Sequence, residues 1–488
     1  MSQNQKGGKA VKAGIGYTVG NMLVKGITFL TIPLFTRLMS TESYGLFNTF
    51  NSYMAILTIF IGLALHASIK NAKYDFGEKL PHYTSSMIII ITACAALFGI
   101  IALVFGNGIS KFLGYSVAII LLMVVEAFGN SLMSLYNCVL AIDFRYKEYL
   151  GLSFFYSVGS IGASVLLMTT LLGGEDSYIG RILGSVIPLV VISVYIIAKS
   201  FIKARPTAAE NKEYLKYGLA ISLPLIPHGL SQILLNQCDR IMIKNMVGDS
   251  EAGIYSLAYN IATLYFVLIT SADTAWTPWF YEKMNEGDEK GIKKNTSTYV
   301  ALMSFVCVAI FIGGPWLVTV MGGEDYYSAR FLIIPLIYSM FFSFLYTLPV
   351  AVEYYHKKTK SVAAATVVSA IVNIILNYFC IIKFGYEAAA YTTAFCHILY
   401  FVFHMIMAKK IMGKIVFSMK NILVCSGVVT VLGAVCLIFL DNILAFWNFV
   451  FFTPYVIIPL AAVVLVGGII AIINRKKISS LINRMKGN

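Results

Sequence analysis

Lys25 lies about midway along an apolar run from residue 13 to residue 38. An ammonium group that deep in hydrocarbon costs at least ~2.5 kcal/mol, so something must offset it. Two chemistries would do so. Lys25 either binds an anionic ligand inside a hydrated lumen, or it forms a structural ion pair with an acid such as Glu126 or Asp239. Arg240 and Lys244 lie in the outer part of a later run, and Arg37 closes the first one. Together with Lys25 they would form a ladder of cations suited to phosphate oxygens. Arg37 and Lys244 also suit plain interfacial anchoring.

Three acids within or at the edge of apolar runs are candidates to bind a proton or a sodium ion: Glu126, Asp239 and Asp273. Glu126 has Asn130 and Asn137 on nearly the same helix face. Glu353 resembles Asp273 in lying near a run's basic end, where capping or interfacial roles are ordinary. Polar side chains three or four apart mark wet helix faces: Thr18, Asn21, Lys25 and Thr28; Asn48 and Ser52; Gln232, Asn236 and Asp239; Ser256, Asn260 and Thr263. Because polar groups in hydrocarbon turn toward a bundle interior or a water-filled cavity, these four faces predict a shared central chamber. Asn21, Gln232, Asn236 and Asn260 are its expected neutral ligands. The scattered histidines lack metal-ligand spacing, and no phosphate-binding glycine loop or nucleophile elbow occurs. We therefore expect no metal, no cofactor beyond a coupling H+ or Na+, and no enzymatic centre.

What must position these residues is a membrane bundle. The 488 residues are 58% hydrophobic and 12% charged, with a mean hydropathy of +0.79, too little polar surface for a water-soluble fold. Run lengths predict an all-α polytopic membrane protein of about 14 transmembrane helices, each long enough for a core roughly 30 Å thick. Of the 37 Lys and Arg residues, twenty-nine fall in alternate gaps and the termini, seven in the other gaps or near span ends, and Lys25 inside a span. The basic gaps belong on the cytoplasmic side, which puts both termini in the cytoplasm. The net charge of +14 is scattered over short loops, so it reflects topology and attraction to membrane lipids, with no nucleic-acid partner expected. The eight cysteines stand singly in or beside apolar runs and read as small hydrophobes.

A weak internal repeat divides the chain. Tyr44-Gly45 opens the second run and Gly253-Ile254-Tyr255 opens the eighth, 208 residues later, with polar residues in both copies at Asn48/Ser256 and Ser52/Asn260. Six runs separate the copies, so the repeats are parallel. Pro206 with Thr207, Ala208 and Ala209 resembles a hinge. The expected units are a six-helix lobe at 1–216, a second at 217–408, and two further helices with a basic tail at 409–488. A second echo, Gly173-Gly174-Glu175-Asp176 with Arg181 against Gly322-Gly323-Glu324-Asp325 with Arg330, reads as turn chemistry. Pro224 and Pro227 should bend the seventh span, 217–246.

These residues resemble a known family. Gly26-Ile27-Thr28-Phe29, Pro33-Leu34-Phe35-Thr36-Arg37-Leu38 and Tyr44-Gly45 look like the opening of the Wzx-type polysaccharide repeat-unit flippases. Leu223-Pro224-Leu225-Ile226-Pro227-His228, Asp239-Arg240 and Gly253-Ile254-Tyr255 resemble the start of their second half. Lys357-Lys358-Thr359-Lys360, Asn373, Leu376-Asn377, Phe384-Gly385 and Ala388-Ala389-Ala390-Tyr391-Thr392-Thr393 resemble their eleventh and twelfth spans. The resemblance implies a bacterial cytoplasmic (inner) membrane protein that carries an undecaprenyl-pyrophosphate-linked oligosaccharide to the outer leaflet by alternating access. Its implied partners are that lipid-linked oligosaccharide, membrane lipids, and the polysaccharide polymerase and chain-length proteins. Lipid II transport and multidrug export within the same superfamily are rival readings. A membrane-embedded polymerase or glycosyltransferase is disfavoured because no outer gap has room for a catalytic loop.

Overall fold

A computed structural model describes residues 24–452 together with Gly16, Tyr17 and Gly20. Thr18, Asn21, the terminal lysines and arginines and the expected fourteenth span lie outside the described residues. Among the described residues the regular structure is entirely helical, and 12 helices are long and apolar enough to cross a membrane.

The first lobe contains α1 (Ile32–Leu38), α2 (Thr41–Gly62), α3 (Leu80–Val104), α4 (Val117–Ile142), α5 (Tyr146–Thr170) and α6 (Ser177–Lys203). Ser40 and Ser116 cap α2 and α4 by accepting from backbone N–H groups three residues on, which satisfies donors that a helix start leaves open. Its buried core runs through Ile61, Leu65, Tyr83, Leu135 and Ile196. Helix α7 (Ala208–Ser222) opens on a capping box made by Thr207 and Glu210. Its Tyr214 sits in this same core, edge-on to Tyr83 at 5.5 Å.

The second lobe comprises α8 (Ile226–Met246), α9 (Asp249–Glu286), α10 (Glu289–Gly322), α11 (Ala329–Leu345), α12 (Thr347–Tyr355), α13 (Thr359–Phe384) and α14 (Ala388–Met412). Tyr255, Phe311, Phe341, Val352 and Phe401 form its centre, and Val429 and Cys436 of α15 (Met419–Ile438) seal it from outside.

Four details of the helices shape the spans. The seventh span bends as expected: Pro224 and Pro227 fall in and beside a single 3-10 turn at Leu223–Leu225 that joins α7 to α8 within one helical run, Ala208–Met246. Each proline removes a backbone donor, and the helix kinks there. The second span ends at Gly62, where Leu63 and Ala64 turn left-handed (φ 47° and 51°). The tenth span is two helices meeting at Tyr346. The stretch 276–296 is nearly all helical, because α9 (38 residues) and α10 (34 residues) run well past the length a bilayer needs.

Candidate functional site

A chamber of about 630 Å³ lies where the lobes meet. Six segments wall it: the helical residues 24–30 with α1, then α2, α4, α5 and α6 of the first lobe, and α9 of the second. Lys25 lines it and makes no ion pair among the described residues. Glu126 also lines it; the side chain is 2% exposed and Oε2 has no partner. The structural pairing of Lys25 with Glu126 or Asp239 is therefore not formed.

The strongest anion-binding feature is Arg181, one of the seven basic residues in the basic-poor gaps or near span ends, which the sequence alone links only to turn chemistry. It sits four residues into α6 and lines the chamber. Nη1 donates to Ser160 Oγ at 3.0 Å and Ser164 Oγ at 2.8 Å. The guanidinium carbon lies 4.1 Å from the centre of the Phe35 ring and 4.8 Å from that of Phe47. No carboxylate pairs with it among the described residues. Hydroxyl oxygens and ring faces hold the fork in place without neutralising it, so its charge remains for a ligand. Arg181 falls only two residues into the apolar run 179–198, where interfacial arginines are ordinary, so the mid-span cost that singled out Lys25 gave no signal here.

Close helix packing sets this position. Ser153, Ser157, Ser160 and Ser164 bury one edge of α5, with Ser164 against Gly184 of α6, and small residues let membrane helices approach closely. A Cβ on Gly184 would sit 2.5 Å from the Ser164 backbone. Gly184→Val must push α6 off α5. We expect about 1–3 kcal/mol of destabilisation, read as a lowered thermal midpoint of the purified protein, with Arg181 displaced from its serines.

Arg240 stands behind the chamber wall. It is 6% exposed, lies 4.3 Å over the Tyr259 ring, and donates to Gln237 and, at 3.3 Å, to Asn260 Oδ1. Asn260 lines the chamber, and its amide donates to the Tyr44 hydroxyl at 3.0 Å and Asn48 Oδ1 at 3.1 Å. Ser52 donates to Gln237 at 3.1 Å. Arg240 is thus tied to the chamber through neutral groups from both lobes.

The other expected ligands are elsewhere. Arg37 is exposed at the end of α1 and does not line the chamber. The Lys244 side chain is 7% exposed, lies 3.4 Å from Asp249 Oδ1 and donates to Leu113 O, so it ties α8 to the short helix Gly106–Leu113 before α4. Asn236 is exposed and donates to Gln232 O. Gln232 and Asp273 line a separate cleft of about 230 Å³ in the second lobe. Asp239, 1% exposed, accepts from Tyr255 (2.6 Å), Asn377 (2.6 Å) and Thr393 (2.9 Å). Glu353 is not an exposed cap: it is fully buried against His404.

The lobes meet tightly at one end, the basic-poor face. Gly45 and Gly253, equivalent positions of the repeat, touch each other: a Cβ on Gly45 would lie 1.8 Å from Asp249 O, and one on Gly253 would lie 2.0 Å from Thr41 O. Thr41 and Ser250 hydroxyls are 2.8 Å apart, and Thr36 donates to Met321 O. Contact between equivalent residues puts the pseudo-two-fold axis between them.

Two packed lobes, parallel in repeat, with a charged chamber at their interface, define a multi-pass membrane transporter. The chain belongs to the polysaccharide biosynthesis protein family, whose model matches residues 10–284; a MatE model matches residues 224–379. It is 24% identical over 378 residues to the Lsg locus putative protein 1 of Haemophilus influenzae, covering 75% of this chain and 89% of that protein. It is 21% identical over 391 residues to the probable low-salt glycan biosynthesis flippase Agl15 of Haloferax volcanii, covering 78% and 80%. In fold it resembles the lipid II flippase MurJ in an inward closed conformation (TM-score 0.66, 17% identity, covering 95% of this chain and 100% of that one). It also resembles an inward-facing multidrug resistance MATE family transporter (TM-score 0.62, 13% identity, covering 82% and 98%). The resemblance to Wzx-type flippases holds at the level of family and fold.

Proposed function

We propose that the protein flips an undecaprenyl-pyrophosphate-linked oligosaccharide across a bacterial cytoplasmic membrane, with the basic face and both termini in the cytoplasm. The observation that carries this reading is the pair of chamber cations, Lys25 and Arg181, neither paired to a carboxylate among the described residues. The pyrophosphate binds between them, and charge cancellation removes the main obstacle to crossing hydrocarbon. Asn48, Asn51, Ser157 and Asn260 offer hydrogen bonds to sugar hydroxyls. The polyprenyl tail stays in lipid. With Gly45 against Gly253, the chamber is shut toward the outer leaflet and loads from the cytoplasmic one. Rocking of the lobes then parts this contact and closes the other end.

A coupling ion binds at Glu126, whose free Oε2 faces the chamber wall, or at Asp239. A multidrug exporter is the weaker reading, because cationic drugs favour an acidic lumen and this chamber carries two cations against one acid. Proteoliposomes loaded with a fluorescent lipid-linked oligosaccharide test the proposal. Lys25→Ala should cut flipping about tenfold or more, as expected for a lost charge-assisted bond, with normal expression and thermal midpoint. Unchanged flipping would remove the proposal's basis. Lipid II in the same vesicles separates that substrate from an oligosaccharide carrier.

A further inference from the structure

At the basic end of the second lobe, Glu353 of α12 and His404 of α14 face each other, each with 0% side-chain exposure. His404 Nδ1 is 2.5 Å from Glu353 Oε1, and Ser361 at the start of α13 donates to Oε2. His404 Nε2 is buried with no partner among the described residues. A lone buried donor is destabilising, so packing alone does not account for a base at this position. An acid and a base sealed together also share a proton between Nδ1 and Oε1. With the Nε2 proton present the pair is neutral overall. When that proton leaves to water, imidazole and carboxylate remain and the pair carries one negative charge.

Tyr400 stands between the pair and a cleft. Tyr400, one turn before His404 on α14, packs edge-on to the His404 ring at 4.5 Å and lines the 230 Å³ cleft with Tyr346, Asp273 and Gln232. The same face of α14 carries His397, whose Nδ1 lies 3.0 Å from Thr393 O, and Thr393, which donates to Asp239. Around the pair, α12 and the turn before it contribute Tyr354 and Tyr346, α14 contributes Tyr400, and α9 contributes Asp273 across the cleft. Lys357, Lys358 and Lys360 are exposed, and Lys358 reaches the site only through its amide, 2.8 Å from Glu353 O. The single charged residue of α11, Arg330, is at that helix's opposite end. Among the described residues no ion pair ties a fixed cation to Glu353.

We propose that Glu353 and His404 form a proton-binding site that loads and releases one proton through the Tyr400 cleft, linking movement of the second lobe to a proton gradient. The link to transport rests on the flippase reading; the proton binding does not. Proton uptake by the purified full chain after an acid jump, followed with a pH-indicator dye, should fall by about one proton per molecule in both Glu353→Gln and His404→Gln. In proteoliposomes a gradient of about one pH unit should stimulate wild-type flipping up to about tenfold, the factor one proton supplies. Both variants should lower that stimulation and keep gradient-free flipping, any remainder belonging to the coupling ion at Glu126 or Asp239.

Unchanged proton uptake in both variants overturns the proposal. Wild-type vesicles that flip nothing overturn the flippase reading instead, while the proton count still decides the pair. If the variants do not fold, infrared difference spectra of wild-type protein with isotope-labelled histidine replace them. A histidine band and a carboxyl band that titrate together support the site, and their absence overturns it.

Discussion

Arg181→Ala is expected to lower flipping in proteoliposomes by roughly two orders of magnitude while leaving the fold intact. A hydrogen bond to a charged group contributes about 1.5–3 kcal/mol, and the fork can offer two of them to a pyrophosphate. Each 1.4 kcal/mol is about tenfold, so losing one to two such bonds gives the stated range. Little else changes on removal. Ser164 keeps its bond to Ser160 O at 2.6 Å, and the approach of α5 to α6 rests on Gly184 and the serines, not on the guanidinium. Arg181→Lys retains the charge but loses the planar fork and the ring stacking over Phe35 and Phe47, and an intermediate rate follows. Flipping rate, thermal midpoint and binding of inorganic pyrophosphate to the purified protein are the three readouts. A wild-type rate in Arg181→Ala would leave the chamber's main cation without a role in transport.

Why Lys25 could be found in the sequence and Arg181 could not is a matter of depth. Hydrocarbon thickness fixes span length, and basic loops fix which gaps share a face. A lysine in mid-span then stands out at once. Arg181 is near the start of its run, where interfacial arginines are ordinary, and its four contacts come from segments 17 to 146 residues away. Periodicity says which face of a helix is polar but not what that face meets. For the same reason Asn260 was legible as a polar position, while its bond to Asn48 of the other repeat was not. Lys244 and Arg37 were grouped with the ladder because they share a sign and a rough depth. Rotation about the helix axis sends Lys244 to Asp249 and the Leu113 carbonyl instead. Glu353 and His404, 51 residues apart, looked like a cap and an ordinary core histidine; only the packing of α12 on α14 brings them into contact.

The repeat supplied the sharpest structural pointer of all, and the largest conformational effect follows from it. Gly253→Val is expected to hold the basic-poor end of the lobes apart. The added Cβ would begin 2.0 Å from Thr41 O and 3.0 Å from Gly45 N. Both obstacles are backbone, so no side chain can swing aside. Thr41 O alone must retreat by about 1.4 Å to reach ordinary contact distance. That movement loosens the Thr41–Ser250 contact and the bonds from Asn260 to Tyr44 and Asn48. Overpacking of this kind costs about 1–3 kcal/mol, and the cost falls only on the state in which the two glycines touch. Because 1.4 kcal/mol is a tenfold change in population, the closed state loses about one to two orders of magnitude against its alternative. The readout is labelling of a single cysteine at Thr263, a chamber position, by an impermeant thiol reagent added from the basic-poor face, in a background with the eight native cysteines replaced. Labelling should rise about tenfold or more in Gly253→Val, and flipping should fall because the chamber no longer closes on that side. Gly427→Val, where an added Cβ meets nothing within 4 Å, supplies the control. Equal labelling in the two variants would mean that the lobes do not separate at this contact, and the closed end would then have to be held by Thr36, Asn260 and their partners alone.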